Sequence, residues 1–353
     1  MNSLHLDGRS ALRTGELAEG QRLLEAALAE EPDNADIRTD LAWAYYRAND
    51  FSRAATVFER LPDWEPAVAK LRSFGDEPPY QMRGPGRTEL PFLLADPLPV
   101  VRITVESTEI CALIDTGGGE LILDVVFAEE IGTQLFGSQE GMFAGGKRTR
   151  VGHARVEHTV LGEIEVRRVP VRVLPIRHFS SVTGGRYRID GVIGTNLLAQ
   201  FRATVDYPGH RLVLERLGEL EAVEGVEVPF ETWSDHFMIA DGSLNGVEPL
   251  RFFVDSGLVG GAFMGPERTL QAASIPVPET RITPGIGGDY DMAPFEIAEL
   301  GLGPLRQRNL MGLFLRYPPD IPGEAGLDGL ISHGFLRAYR WTIDPTRSVF
   351  VFS

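Results

Sequence analysis

The sequence predicts a multi-domain protein in which an N-terminal helical arm precedes an all-β region built from two similar lobes. Three observations predict this fold class. The first 75 residues carry a helical repeat, the remainder carries short alternating and β-branched runs, and a longer repeat divides those runs into two halves. With 353 residues, the chain is long enough for two or three such units.

The composition limits what the protein can bind. Hydrophobic residues make up 43% of the chain, which is enough for a buried core, and 39 glycines and 24 prolines favour turn-rich β structure. The formal net charge of -16 argues against nucleic acid and against an anionic membrane as partners, because both present negatively charged phosphates.

Cysteine and histidine usage narrows the chemistry further. The single cysteine, Cys111, cannot form an internal disulfide, which argues against a disulfide-rich secreted fold. No signal-peptide core or membrane-spanning stretch is visible in the sequence, so we expect a cytoplasmic protein. The seven histidines have no metal-ligand spacing, and we expect neither a metal nor any other cofactor.

The helical arm, residues 1–75, contains a repeat with a period of 34 residues. Six pairs of residues separated by 34 positions carry it: Gly8 and Ala42, Ala11 and Tyr45, Gly20 and Ala54, Leu24 and Phe58, Ala27 and Leu61, Pro32 and Pro66. Small residues allow two helices to approach closely, and each proline ends a unit because proline cannot continue a helix.

This pattern resembles the tetratricopeptide repeat in its period and in the positions of its small residues. The resemblance covers two repeats and a third helix at residues 63–74. About three such repeats are normally needed for a stable stack. We therefore expect the arm to pack on the following domain or on a protein partner.

Residues 76–89 are rich in proline and glycine and are predicted to form a linker. A second repeat then divides the β region into a first lobe at 90–215 and a second lobe at 226–353. Its blocks recur in one order: Leu113-Ile114-Asp115-Thr116-Gly117 with Phe253-Val254-Asp255-Ser256-Gly257, Gly145-Gly146 with Gly287-Gly288, Asp190-Gly191-Val192-Ile193-Gly194 with Asp328-Gly329-Leu330-Ile331-Ser332, and Thr204-Val205-Asp206 with Thr342-Ile343-Asp344. Four matched blocks at nearly one spacing indicate a duplicated lobe.

The repeated Asp-hydroxyl-Gly triplet has a specific chemical use. An apolar strand carries Asp115 or Asp255 into a shielded position, and glycine permits a tight turn that brings two such loops side by side. Two carboxylates about 3 Å apart cannot both ionise at moderate pH, so they share one proton. The charged group can then act as a general base towards water, while the protonated group stabilises the oxygen of a peptide carbonyl.

On these residues, the β region resembles the retropepsins and pepsins, and especially the bacterial retropepsin-like aspartyl proteases. The resemblance implies a bilobal β-barrel acid-protease fold, an aspartic endopeptidase activity on peptide or protein substrates, and a monomer, because one chain carries both lobes. It implies that Val192-Ile193-Gly194 underlies the first triplet. The implied site consists of the catalytic residues Asp115 and Asp255, the supporting residues Thr116, Gly117, Ser256 and Gly257, and the flap glycines Gly145, Gly146, Gly287 and Gly288.

The sequence departs from the family pattern mainly in the second lobe. Leu258 follows its triplet, and Ser332 stands where the underlying segment normally has glycine for close packing. The residues after that segment, Thr195-Asn196 and His333-Gly334, also differ from the usual pattern. These departures keep an alternative open, namely a non-catalytic peptide-binding or adaptor protein. The distance between the two carboxyl groups discriminates between the alternatives.

Overall fold

A computed structural model describes residues 2–142, 148–218, 220–285, 288–316 and 326–353. The arm consists of successive α-helices that pack in antiparallel pairs. They are α1 (Ser3–Arg13), α2 (Leu17–Glu30), α3 (Ala35–Arg47), α4 (Phe51–Phe58) and α5 (Glu65–Arg72). The third predicted helix is therefore shorter than the 63–74 expected, because Asp63 has a left-handed backbone with φ of 64° and the helix starts only after it.

The small residues of the 34-residue repeat allow the helices to pack closely, as their size predicts. A Cβ atom on Gly8 would lie 2.8 Å from Leu24, and one on Gly20 would lie 2.5 Å from Leu12, so only glycine allows α1 and α2 to approach this closely. Asn34 caps α3 by accepting hydrogen bonds from the first amides of that helix.

The first lobe begins with strands and ends in a pair of strands that leave its main sheet. Its elements are β1 (Gln81–Arg83), β2 (Arg87–Pro91), β3 (Val100–Val105), β4 (Thr108–Ile114), β5 (Leu121–Asp124), α6 (Val125–Glu130), β6 (Leu135–Met142), β7 (Arg148–Leu161), β8 (Ile164–Leu174), a 3-10 turn at Arg177–Thr183, β9 (Ile189–Ile193), α7 (Thr195–Leu198), β10 (Phe201–Asp206) and β11 (Arg211–Arg216).

The second lobe repeats this order. Its elements are β12 (Val226–Pro229), β13 (Glu231–Trp233), β14 (Phe237–Leu244), β15 (Val247–Asp255), β16 (Phe263–Gly265), α8 (Glu267–Ala272), β17 (Arg281–Gly285), β18 (Gly288–Leu302), β19 (Leu305–Leu315), β20 (Gly329–Ser332), α9 (His333–Leu336), β21 (Arg340–Asp344) and β22 (Val349–Phe352).

Six strands of each lobe pair in a closed ring, so each lobe is a small barrel. In the first lobe the ring runs β8-β5-β9-β4-β3-β7 and closes because β7 also pairs with β8. In the second lobe it runs β19-β16-β20-β15-β14-β18 and closes between β18 and β19. Both lobes contain the same two parallel strand pairs. In the first lobe β4 pairs with β9 and β5 with β8, and in the second lobe β15 pairs with β20 and β16 with β19. This shared topology confirms the predicted duplication of the fold.

A further sheet joins the two lobes. Its order is β12-β22-β21-β10-β11-β2, and its central pair combines β10 of the first lobe with β21 of the second. Thr204 and Thr342, which occupy equivalent repeat positions, face each other in this pair with their hydroxyl oxygens 2.7 Å apart. The pseudo-twofold axis between the lobes therefore passes through this sheet.

The segment 76–89, predicted as a linker, contains strand β1 and the first residues of β2. Strand β1 pairs with β8, and β2 pairs with β11 at the edge of the sheet that joins the lobes. The proline and glycine content hid these strands because edge strands tolerate both residues. In the part of the chain that the structure describes, no helix has the length and apolarity required to cross a membrane.

The arm packs on the β region, as expected for a stack of too few repeats. Helix α5 lies against β6 and β7 of the first lobe. Helix α1 reaches the second lobe, where the guanidinium of Arg13 lies 4.3 Å from the ring centroid of Trp233. The arm thus contacts both lobes.

Candidate active site

The two Asp-hydroxyl-Gly triplets occupy equivalent loops. Strand β4 ends one residue before Asp115, and strand β15 ends at Asp255. Both strands are buried because parallel strands flank them, β9 in the first lobe and β20 in the second. The Asp115 amide donates to the carbonyl of Ile193 over 3.1 Å, so the underlying strand holds the start of the first loop.

The middle residues of the triplets bind the lobes to each other. Thr116 Oγ1 accepts from the amide of Ser256 over 3.0 Å and donates to the carbonyl of Val254 over 2.8 Å. The amide of Thr116 donates to Ser256 Oγ over 3.0 Å, and this hydroxyl donates to the carbonyl of Ile114 over 3.3 Å. Both side chains are fully buried. These reciprocal bonds hold the loops in a symmetric arrangement.

The glycines of the triplets make room for the opposite carboxyl group. A Cβ atom on Gly117 would lie 2.6 Å from Asp255 Oδ1, and one on Gly257 would lie 2.1 Å from Asp115 Oδ1. Each glycine amide also donates to its own aspartate, Gly117 to Asp115 and Gly257 to Asp255, over 2.8 Å in both cases. Any side chain at either glycine would therefore displace the carboxyl group of the other lobe.

The two carboxyl groups lie close together, each against the glycine of the opposite triplet, and this proximity favours one proton on the pair. Burial raises the pKa of Asp115 and of Asp255 above the ordinary aspartate range. The neighbouring charge of Asp115 raises the pKa of Asp255 further. The pair titrates as one unit, and it keeps a shared proton to higher pH than an isolated aspartate would.

The segments beneath the loops differ between the lobes. A Cβ atom on Gly194 would lie 2.4 Å from the carbonyl oxygen of Glu120, so this position requires glycine. In the second lobe Ser332 fits without a clash, and its hydroxyl donates to the carbonyl of Leu258 over 2.8 Å. The close approach there is made two residues later, where a Cβ atom on Gly334 would lie 2.7 Å from the amide nitrogen of Ala262.

This shift follows from loop length. Six positions separate Asp115 from Leu121, the first residue of β5, whereas eight separate Asp255 from Phe263, the first residue of β16. The two additional residues widen the second loop and leave room for a serine beneath it. The loss of glycine at Ser332 therefore marks a displaced contact.

Most of the predicted flap glycines lie outside the residues that the structure describes. Gly145, Gly146 and Gly287 fall outside the described residues. Gly288 is described and pairs with Gly285 at the end of the β17–β18 hairpin.

Sequence reasoning missed two groups in and around the loop that carries the first triplet. His236, in the turn before β14, faces the carbonyl oxygen of Gly117 at 3.2 Å through Nε2 and Asp235 at 2.6 Å through Nδ1. Because both partners accept, the two bonds form together only when the imidazole carries two protons. Burial would raise the pKa of Asp235, but His236 and Arg172 outweigh it and hold that pKa well below its usual value.

The second missed group is Glu120, the residue that ends the first loop. It is 1% exposed, and both of its oxygens accept from the ammonium of Lys70 in the arm, over 2.5 and 2.6 Å. A charged residue directly before the apolar strand Leu121–Asp124 was a visible signal that a buried partner exists. The identity of that partner lies 50 positions away in another domain, which no local pattern reveals.

The other repeated aspartates have structural partners. Asp190 accepts from Arg177 and Arg188, each over 2.7 Å, and Asp328 accepts from the amide of Arg251 over 2.9 Å. These contacts give both residues a structural role.

With this geometry in view, comparisons with known proteins identify two segments. Residues 11–73 match the family model of the tetratricopeptide repeat, and residues 101–197, which include the first triplet, match that of an aspartyl protease. Among solved structures, the chain is similar to a retropepsin-like aspartic protease from Rickettsia conorii, with 18% identity, 40% of this chain and 98% of that chain covered, and a TM-score of 0.27. No curated protein matches the sequence.

Together with the two closed barrels, the family matches establish the class of protein. It combines tetratricopeptide-like helices with an aspartyl-protease-like β region, as the sequence predicted.

Proposed function

We propose that this protein is an aspartic endopeptidase in which Asp115 and Asp255 activate one water molecule. The charged carboxylate accepts a proton from the water as its oxygen attacks the peptide carbonyl carbon. The protonated carboxyl group donates its proton to the carbonyl oxygen, which gives a neutral gem-diol. As the C–N bond breaks, the carboxyl group that is now protonated donates its proton to the leaving amine. One hydroxyl of the gem-diol gives its proton to the charged carboxylate, so the pair again carries one proton and the product is a carboxylic acid.

The observation that carries the proposal is the placement of the two carboxyl groups, each beside the glycine of the opposite triplet in loops held by symmetric bonds from both lobes. A shared proton supplies one acid and one base at the same pH, which this reaction needs. A degenerate binding module has no need for both a buried proton-sharing pair and the glycines that make room for it. The alternative of a non-catalytic peptide-binding protein therefore has less support.

The proposal extends to the whole chain. We propose the division into an arm at 1–75, a connecting segment at 76–89 and lobes at 90–215 and 226–353. Because both half-sites belong to one chain, a monomer suffices for activity. Specific activity should then not change on dilution, whereas an obligate dimer would lose activity as it dissociates.

The proposed pH dependence follows from the raised pKa values. Activity requires one proton on the pair, so it falls at low pH as both groups become protonated and at high pH as both become charged. Burial and mutual repulsion move the upper limit above the ordinary aspartate pKa of 3.8. The pH profile of kcat/KM should be bell-shaped with its descending limb on the alkaline side of that value.

The direct test uses Asp115→Asn and Asp255→Asn with a diverse peptide library between about pH 3 and 8 and product detection by mass spectrometry. Each variant should fold and lose activity by roughly 10³-fold or more, because a neutral amide can neither accept the water proton nor share one. The exposed Asp241→Asn in the second lobe is the matched control and should cleave normally. Undiminished cleavage by either active-site variant refutes the mechanism, and binding without cleavage by the wild type supports the adaptor alternative.

A further inference from the structure

The loop that carries Asp115 has an unusual need for external support. Three consecutive glycines, Gly117 to Gly119, separate Thr116 from Glu120. Glycine loses more conformational freedom on ordering than any other residue, so such a segment does not hold its shape alone. Its amide at Gly117 nevertheless orients the Asp115 carboxylate. Whatever fixes the far end of the glycines therefore fixes the catalytic group.

Thr195 and Asn196 of the first lobe donate their amides to the carbonyls of Gly118 and Gly119, and the helical arm holds Glu120 at the far end. Lys70 of α5 donates to both oxygens of Glu120, and the hydroxyl of Tyr46 of α3 donates to one of them. The side chains of Lys70 and Glu120 are each 2% exposed. Burial alone would raise the pKa of Glu120, but Lys70 and Arg172 outweigh it and hold that pKa below its usual value. The glutamate therefore stays charged, and its position depends on the arm.

The arm is itself anchored near this contact. Arg155 and Arg168 of the first lobe donate to the backbone carbonyls of Ser73 and Phe74, at the end of α5. A Cβ atom on Gly137 in β6 would lie 3.1 Å from Pro66 of the same helix. Helix α5 thus has a defined position on the lobe, which it can transmit to Glu120 through Lys70.

We propose that the helical arm is a working part of the active site, with Lys70 and Tyr46 as positioning residues that hold the first catalytic loop through Glu120. The inference rests on the proposed peptidase function. It assigns the arm a role in the chemical step in addition to the recognition of a protein partner. The equivalent position in the second lobe, Ala262, has no charged group for such a contact.

Two adjacent tyrosines offer a matched experiment. Tyr46 is 5% exposed and donates its hydroxyl to Glu120, whereas Tyr45 is 6% exposed and donates its hydroxyl to Glu25 inside the arm. Tyr46→Phe and Tyr45→Phe each remove one oxygen atom from a buried ring. Tyr46→Phe should lower kcat by roughly fivefold with KM unchanged, because small displacements of a catalytic group slow the chemical step. Tyr45→Phe should leave both parameters unchanged.

Lys70→Met is the stronger variant and should lower kcat by roughly 10²-fold, again with KM unchanged. Lys70→Met leaves the charge of Glu120 buried and unpaired. The double variant Lys70→Met with Glu120→Gln removes that charge and should restore folding stability without restoring kcat. If Lys70→Met does not fold, the double variant and the tyrosine pair carry the test. A wild-type kcat in Tyr46→Phe and in the folded double variant overturns the proposal.

A second readout keeps this inference separate from the peptidase proposal. Hydrogen–deuterium exchange of the peptide that spans residues 115–121 should be faster in Tyr46→Phe than in Tyr45→Phe. If the wild type cleaves no peptide, the proposed function fails, and exchange alone decides whether the arm positions the loop. Equal exchange in the two variants overturns the positioning role even if the enzyme is active.

Discussion

The two loops that carry the Asp-hydroxyl-Gly triplets are alike in the triplets themselves and differ in the packing around them. Both present an aspartate, a buried hydroxyl and a glycine with nearly the same hydrogen-bond lengths. The first loop is short, rich in glycine and held from outside by Lys70, which binds Glu120 of the loop, and by His236. The second is two residues longer and is held from below by Ser332. The triplets are thus the same in both lobes, whereas the contacts that support them differ.

The side chains that surround the two loops also differ between the lobes. Near the first loop lies a polar cluster that contains the buried Lys70, Glu120 and His153 and the half-buried Arg172. The second barrel is filled by aromatic rings, for example Phe263, whose ring meets that of Phe252 at a centroid distance of 5.4 Å. The polar lobe is the one that the arm contacts through Lys70. The arm and the first lobe therefore both contribute side chains to one polar interior.

The largest expected effect concerns the glycines beneath the loops. Gly194→Ala should destabilise the protein by about 3 kcal/mol or more, because its methyl group would overlap carbonyl oxygens of Gly118, Gly119 and Glu120. Gly334→Ala should cost a similar amount in the second lobe, where the methyl group would overlap the backbone of Gly261 and Ala262. Urea denaturation of both variants provides the measurement.

Together, Gly194→Ala and Gly334→Ala also test whether the two lobes pack their loops equally closely. A stable Gly334→Ala beside an unstable Gly194→Ala would show that Gly334 has not taken over the close contact. The two loops would then differ in packing as well as in length.

The next effect concerns the bonds between the lobes. Thr116→Val removes a donor and an acceptor that serve Val254 and Ser256, and should cost about 2–3 kcal/mol because both buried partners lose a bond. Ser256→Ala should cost less, since its own donated bond to Ile114 is longer at 3.3 Å. Thr116→Ser keeps the hydroxyl and serves as the control. Equal losses of unfolding free energy in Thr116→Val and Ser256→Ala would contradict the asymmetry.

Most of the fold was predictable because local sequence patterns and two internal repeats indicate it. The 34-residue period located the arm, and the spacing of Asp115 and Asp255 located both barrels and the pair of loops. Strands β1 and β2 were missed because their stability comes from partners more than 70 residues away, β8 and β11, and their own residues resemble a linker. Local propensity cannot register such a contribution.

The supports of the site were predictable only in part. The chemistry of the triplets follows from their residue types, whereas the contact of His236 with Gly117 joins residues 119 positions apart. The missing glycine at Ser332 was interpreted as degeneration because the sequence does not show that the loop above it is longer. Length differences between duplicated loops become visible only when both ends of each loop are placed.

A smaller effect probes the polar interior of the first lobe. Burial lowers the pKa of His153 to about 3, and among the described residues neither of its ring nitrogens has a hydrogen-bond partner. Between that value and the unfolded pKa of about 6.5, the unfolded chain binds a proton that the folded chain does not, so stability falls as pH falls.

His153→Phe makes this interior resemble the aromatic second lobe and removes that pH dependence. Relative to its value at pH 7.5, the variant should gain about 2 kcal/mol of unfolding free energy over the wild type at pH 5. The exposed His210→Asn is the control and should show no such gain. Parallel stability curves for His153→Phe and the wild type would mean that His153 binds its proton equally well in the folded and the unfolded protein.

The smallest effect tests whether Ser332 is a defect. Ser332→Gly restores the residue found at the equivalent position of the first lobe, Gly194, but removes the bond from the Ser332 hydroxyl to the carbonyl of Leu258. Stability should fall by about 1 kcal/mol, the net value of one buried hydrogen bond, and kcat/KM should not rise. A rise in kcat/KM would show that the serine impairs the second loop. An unchanged value supports the view that the longer loop, with Gly334 as its contact, is an equivalent solution to the same packing problem.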